Sequence, residues 1–170
     1  MSRFAVHWSS ERDTWETPQD FFDKLDAEFH FTLDVCALPS SAKCSRYFTP
    51  EDDGLAQDWS GEIVWMNPPY GKTIGAWMAK ALDATTKGAT VVCLVPSRTD
   101  TRWWHSYVEG KAEVRFVKGR LKFGGSKNSA PFPSAVVIFR PRSTAQPNRT
   151  GRVAEGRGSV TTQTGERRWR

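Results

Sequence analysis

The sequence predicts one α/β domain built on an open sheet, mostly parallel with an antiparallel edge hairpin. Three observations carry that expectation. Strand-like and helical patterns alternate along the chain in the order β-α-β-α-β, which builds a parallel sheet flanked by helices. The stretch 89–95, ATVVCLV, is continuously apolar and rich in β-branched residues, as a central strand covered on both faces requires. Two strand-like runs end in polar side chains, Asp34 and Asn67, at the carboxyl ends where open α/β sheets hold their ligands.

Taken in order, residues 1–13 read as a polar leader. Order is expected from Thr17-Pro18-Gln19-Asp20: a Thr N-cap, a proline at the first helical position, and an acid three residues after the cap. Phe21, Phe22, Leu25 and Phe29 then recur at helical spacing. Residues 30–35 alternate like a strand ending near Asp34, and 36–60 are irregular. Residues 63–66 are a short apolar run, most simply a buried strand, cut off at once by Asn67-Pro68-Pro69-Tyr70-Gly71. Ile74, Trp77, Met78, Ala81 and Leu82 mark the clearest amphipathic helix, with Gly88 placed to end it. After the strand at 89–95, Pro96 intervenes. A helix over 99–109 with Trp103, Trp104, Tyr107 and Val108 follows, then an alternating strand at 113–117. Residues 120–123 and 134–140 read as the edge hairpin, joined by a Gly/Ser/Pro loop.

Composition bounds the function classes. A chain of 170 residues with 38% hydrophobic content supports one core, and eight Trp, ten Phe and three Tyr need somewhere to pack. No apolar run approaches the ~20 residues that cross a bilayer, and the N-terminus shows no signal-peptide pattern. Three cysteines, Cys36, Cys44 and Cys93, have neither disulfide nor zinc spacing, so reduced thiols in a cytoplasmic protein are expected, and no metal site. The net charge of +5 lies in residues 141–170, where seven arginines face two glutamates, so residues 1–140 are formally neutral. That tail is poor in apolar residues and is expected to be a flexible basic appendage to a domain spanning 14–140.

The chemistry concentrates at Asn67–Tyr70. Each proline removes a backbone N–H and fixes φ, which makes a stiff strand end. The Asn67 side-chain oxygen and the Pro68 carbonyl then become two fixed acceptors. Facing one −NH₂, they would take up its hydrogens and favour a tetrahedral nitrogen with its lone pair free. Tyr70 offers a flat face for a ring. This set suits a planar substrate carrying an exocyclic or amide nitrogen; an ordinary Pro-Pro turn is the bland alternative.

The tetrapeptide resembles the catalytic motif of amino-directed, S-adenosylmethionine-dependent methyltransferases, whose adenine-N6 members carry Asp or Asn first. Further pieces, in order, resemble the phage-type DNA N6-adenine methyltransferase (Dam) family: Thr17-Pro18, Leu33-Asp34-Val35-Cys36-Ala37, Asp53-Gly54-Leu55 with Asp58-Trp59, Leu94-Val95-Pro96-Ser97-Arg98-Thr99, and Gly119-Arg120-Leu121 with Pro131-Phe132-Pro133-Ser134. The resemblance covers residues 14–140. It implies a Rossmann-like class I methyltransferase fold, S-adenosylmethionine as cofactor, and double-stranded DNA as partner, in a cytoplasm (the host's, if the chain is phage-encoded). It implies that Asn67 and Pro68 bind the adenine N6 amino group and that Pro69 stiffens the loop. Tyr70 would stack on the flipped base. Asp34 and Ala37 would lie in the first cofactor motif, Thr17 and Pro18 in a cofactor-side motif, and Asp53 or Asp58 against the cofactor's ribose or adenine. The first cofactor motif contains no glycine, and no insert is long enough for a target-recognition domain. Sequence readout is therefore left to loops, the tail or a second subunit of a homodimer.

Two other readings stay open on sequence alone. One is methylation of another amino group, on an RNA guanine or a protein glutamine; the other is a nucleic-acid-binding relative that has lost catalysis. Lys72, Arg98 and Arg102 flank the expected mouth and suit phosphates or simple solvation. Lys118, Arg120, Lys122 and Lys127 are expected to guard the sheet edge.

Overall fold

In a computed structural model, the structure describes residues 15–141. The leader and all but the first residue of the basic tail lie outside them. Helix α1 (Gln19–Phe29) leads into β1 (Leu33–Asp34); β2 (Ile63–Met66) and α2 (Ile74–Ala84) follow, then β3 (Thr90–Pro96), β4 (Glu113–Phe116) and β5 (Ser134–Phe139). The five strands form one sheet in the order β1-β2-β3-β5-β4. β1, β2 and β3 are parallel neighbours, while β5 is antiparallel to both β3 and β4. Four strands therefore run one way and β5 alone runs against them.

Local chemistry explains most of these elements. β2 and β3 are buried almost throughout, in line with their unbroken apolar runs. α2 turns Ile74, Trp77, Met78 and Ala81 inward, and Gly88, at φ 82°, closes the 3₁₀ turn that follows it. α1 buries Phe22, Leu25 and Phe29, and Phe22 meets Trp65 of β2 edge-on, ring centroids 5.4 Å apart. Arg115 on β4 is buried, and its guanidinium grips Glu28 of α1 with two hydrogen bonds of 2.7 and 2.8 Å, fixing the far edge to the first helix.

Four expectations are corrected. The antiparallel strand is not an edge. β5 lies between β3 and β4 with all six residues buried, because SAVVIF offers no charge to either face, whereas EVRF of β4 can border solvent. Residues 120–122 form no strand, and a 3₁₀ turn over Phe123–Gly125 follows them, so the antiparallel edge pair is made by β5 with β4 and not with 120–123. The helix expected over 99–109 is short and wide, centred on a π turn at Trp104–Val108 in which the Glu109 N–H reaches the Trp104 carbonyl. Thr17 does not cap α1. Pro18 holds the N-cap position without a side-chain bond, and the Thr17 hydroxyl is engaged elsewhere.

The irregular stretch after β1 has a structural task. Its backbone returns beside Asp34, which forms an isolated parallel bridge with Tyr47, and so covers the open edge of β1. Gly54 passes tightly under that edge. A Cβ there would stand 2.2 Å from the Val35 carbonyl oxygen and 3.1 Å from the Trp77 ring. Gly54→Ala should therefore destabilise the protein by about 1–3 kcal/mol through overpacking. Gly75→Ala, whose Cβ would sit 3.5 Å from that of Trp103, should be neutral or gain up to about 1 kcal/mol from helix propensity. Urea unfolding midpoints of the two variants check the contrast.

Candidate active site

The sheet register brings the two polar strand ends together. Asp34 is aligned with Trp65 across the β1–β2 pair, so Asn67, the first residue after β2, lies two residues further along the neighbouring segment. At strand spacing this puts their Cα atoms on the order of 8 Å apart. Both line a cleft of about 370 Å³, walled by Trp15, Thr17, Cys36, Leu38, Ser40, Ser41, Lys43, Trp65, Pro68, Pro69, Phe123 and Gly124.

Asn67 is held by segments distant in the chain. Its side-chain Nδ2 donates one hydrogen to the Trp15 carbonyl and the other to the Thr17 hydroxyl at 3.0 Å. Its Oδ1 is buried and has no hydrogen-bond partner among the described residues. Such an acceptor costs about 1–3 kcal/mol unless something donates to it. An incoming amine would do so. The clamp itself is anchored from the other side. Trp15 packs edge-on against Phe123 and Phe132, with centroids 5.4 and 5.1 Å away, and the Gly124 N–H donates to the Glu16 carbonyl at 2.9 Å.

Asp34 is 2% exposed. Its carboxylate accepts the Cys36 N–H at 3.2 Å and the Lys43 N–H at 3.0 Å, which draws the loop after β1 over the cleft. Burial pushes its pKa up to about 6, partly opposed by those two backbone donors and by the Lys43 charge. A carboxylate has lone pairs beyond two, so Asp34 can still accept from a ligand.

The structure separates the expected site residues into two groups. Thr17, Asp34, Asn67, Pro68 and Pro69 line one cleft. Pro18 instead borders a second groove, where Lys24, Lys118, Arg120 and Lys122 gather over Phe21 and Leu121. Asp53 and Asp58 do not line the cleft: Asp58 caps Ser60 through its N–H and hydroxyl, and Asp53 takes a left-handed φ of 52° in a turn. Ala37 is buried, its N–H donated to the Phe48 carbonyl. Tyr70 is 3% exposed, gives its hydroxyl hydrogen to the Leu94 carbonyl at 3.1 Å, and is walled by Phe123 and Phe132. Beside the motif, Lys72, Arg98 and Arg102 surround a third groove of about 540 Å³, and the Arg98 guanidinium reaches the Tyr70 carbonyl at 3.4 Å.

Sequence reasoning missed the Trp15 carbonyl and Phe123. A main-chain acceptor leaves no mark in a sequence. Phe123 carries only the general mark of an aromatic beside two glycines.

The cleft fits an S-adenosylmethionine-type donor. Its volume falls in the range of small-molecule sites, and a cation beside Asp34 would relieve the strain of keeping that carboxylate ionised while buried. Comparison with known proteins agrees. The family model described as DNA N-6-adenine-methyltransferase (Dam) matches residues 6–157. A DNA N-6-adenine-methyltransferase of Haemophilus phage HP1 (strain HP1c1) is 29% identical over 142 residues, covering 79% of this chain and 82% of its own. A protein of Escherichia coli (strain K12), named "Putative methyltransferase YfdM", is 38% identical over 65 residues, covering 34% of this chain and 71% of its own. With a strand-terminal NPPY loop facing a buried acid on the adjacent strand, and a family match across most of its length, the chain belongs to the DNA N-6-adenine-methyltransferase (Dam) family.

Proposed function

We propose that the cleft methylates the N6 amino group of an adenine swung out of double-stranded DNA. The observation that carries this is the Asn67 amide: both hydrogens of its nitrogen are committed to protein acceptors, and its oxygen is left for a donor that none of the described residues supplies. With the Pro68 carbonyl it takes the two hydrogens of the exocyclic −NH₂, which turns the nitrogen lone pair toward the methyl group. S-adenosylmethionine, when bound, supplies a methyl already activated by the sulfonium. Asp34, with the loop it draws down, would hold the donor's cationic end, and Ser40 and Ser41 on that loop would offer further hydrogen bonds. Positioning and stabilisation of charge on nitrogen are then the protein's main contributions.

Phe123 and Trp15 front the cleft, and Tyr70 stands behind Phe123. A base stacked on Tyr70 therefore requires the covering rings of Phe123 and Phe132 to give way as the base enters. The cations of the groove beside the motif suit phosphates next to the extruded nucleotide. Readout of the target sequence falls to loops, the tail or a second copy. Family membership favours DNA adenine over RNA guanine or protein glutamine, and the intact Asn67–Tyr70 loop favours an active enzyme over a binding relative.

Labelled methyl transfer to unmethylated genomic DNA, with nucleoside digestion, should yield N6-methyladenosine in its deoxy form and little label in RNA or protein. Transfer only to RNA or protein would replace the reading. Asn67→Ala should fold normally and lose transfer by about a hundredfold or more, as expected for a missing reaction-centre acceptor. A folded Asn67→Ala protein at full activity would overturn the assignment.

The Asp34 carboxyl gives a pH signature. Its folded pKa is raised, so in the free protein the fold loses stability as pH rises from about 4 through 6. Binding a cationic donor favours the ionised form, so donor affinity should fall as pH drops through about 6, approaching tenfold per pH unit. Calorimetry between about pH 5 and 7 should show this slope in the native protein and none in Asp34→Asn.

The DNA groove is tested by salt. Replacing Lys72, Arg98 and Arg102 by alanine should make the slope of log K against log salt shallower by about 0.9 for each lost phosphate contact. An unchanged slope in binding titrations would remove this groove from the DNA interface.

A further inference from the structure

We propose that the Trp15 carbonyl and Thr17 hydroxyl form a clamp that makes asparagine, and not aspartate, the working residue at position 67, with Thr17 a positioning residue for methyl transfer. The inference rests on the methylation reading above and adds to it a reason for the identity of its central residue.

A primary amide is nearly symmetric in shape, and turning it over exchanges a donor for an acceptor. Turned one way, Asn67 offers oxygen to the substrate −NH₂; turned the other, it presents two hydrogens to a group that also donates. Something must fix the choice. A main-chain carbonyl can only accept, so the Trp15 carbonyl admits the amide nitrogen and refuses the oxygen. Thr17, 3% exposed, places its oxygen at 3.0 Å from the same nitrogen and takes the second hydrogen. Both hydrogens are thus committed, and Oδ1 is the atom left over. Residues 15–17 cannot easily retreat, because Phe123, Phe132 and the Gly124 N–H hold them from outside.

The same geometry excludes a carboxylate. An aspartate at 67 would set one of its oxygens against the Trp15 carbonyl oxygen, two acceptors in a buried place with no hydrogen between them. The Thr17 hydroxyl could rotate to donate, but the carbonyl could not. Thr17 also leaves its helix-capping position to serve this contact, and α1 starts without a side-chain cap.

Three variants test the clamp: Thr17→Val, Thr17→Ser and Asn67→Asp. The measurements are single-turnover methyl transfer to unmethylated duplex DNA at saturating donor and DNA, donor affinity by calorimetry, and thermal melting by circular dichroism. Thr17→Val should lower the saturated rate about ten- to a hundredfold while donor affinity changes only a few-fold, and Asn67→Asp should lower it about a hundredfold or more. Thr17→Ser keeps the oxygen and should restore a rate near that of the native protein. If Thr17→Val instead transfers at the native rate once saturated, with its loss confined to donor affinity, Thr17 is a donor ligand and the clamp is overturned. A folded Asn67→Asp protein at near-native rate overturns it as well. Should Thr17→Val fail to fold, Asn67→Asp, which leaves Thr17 in place, decides the matter. An inactive Asn67→Ala with active Thr17→Val and Asn67→Asp would sink the clamp alone, whereas an active Asn67→Ala would sink the methylation reading.

Discussion

The two hydrogen bonds donated by the Asn67 amide tie together segments that the chain keeps far apart. Residues 15–17, the end of β2 and the 123–132 region meet at this one side chain or at the rings that support it. The orientation of the Asn67 oxygen depends on that meeting, and the chain entering α1 and the wall of the cleft converge on it. A hydrogen bond between neutral groups contributes about 1 kcal/mol net, so its weight here lies less in stability than in choosing one of two amide orientations.

The sheet supplies the rigidity this arrangement needs. β2 and β3 are buried on both faces, and β5, inserted against the general direction, locks β3 from its other side along six aligned pairs. A polar group at the end of such a strand is held by a backbone that cannot shift without breaking a ladder. Asp34 ends β1 and Asn67 directly follows β2, so their separation is set largely by the register of Asp34 against Trp65. Pro68 and Pro69 then stop the ladder and keep the chain from continuing into the cleft.

Both key groups carry an unfavourable term in the free protein. Asn67 has a buried oxygen without a donor among the described residues, and Asp34 has a carboxyl whose ionised form is disfavoured by burial. Each term is removed by a complementary ligand: an amine for the first, a cation for the second. In the proposed reading the cleft joins an acceptor for the group to be methylated with an anion for the methyl donor, one strand spacing and two residues apart.

Sequence alone determined the parts that depend on local pattern. The periodicity of α2, the unbroken apolar runs of β2 and β3, the stiffness of Asn-Pro-Pro and the placement of Asp34 and Asn67 at strand ends were all legible, because each follows from a few consecutive side chains. Tertiary structure decided what consecutive residues cannot encode. Whether SAVVIF lies at an edge or inside the sheet depends on which strand pairs with its second side, and β4 takes that place. The Thr17 hydroxyl fits a helix cap by local rules, yet a partner fifty residues away claims it. Tyr70 follows a motif that suggests an open ring, yet Phe123 and Phe132 cover it. Asp53 and Asp58 share their residue type with Asp34, but of the three only Asp34 lines the cleft with Asn67, a neighbourhood set by the pairing of β1 with β2 and not by local charge.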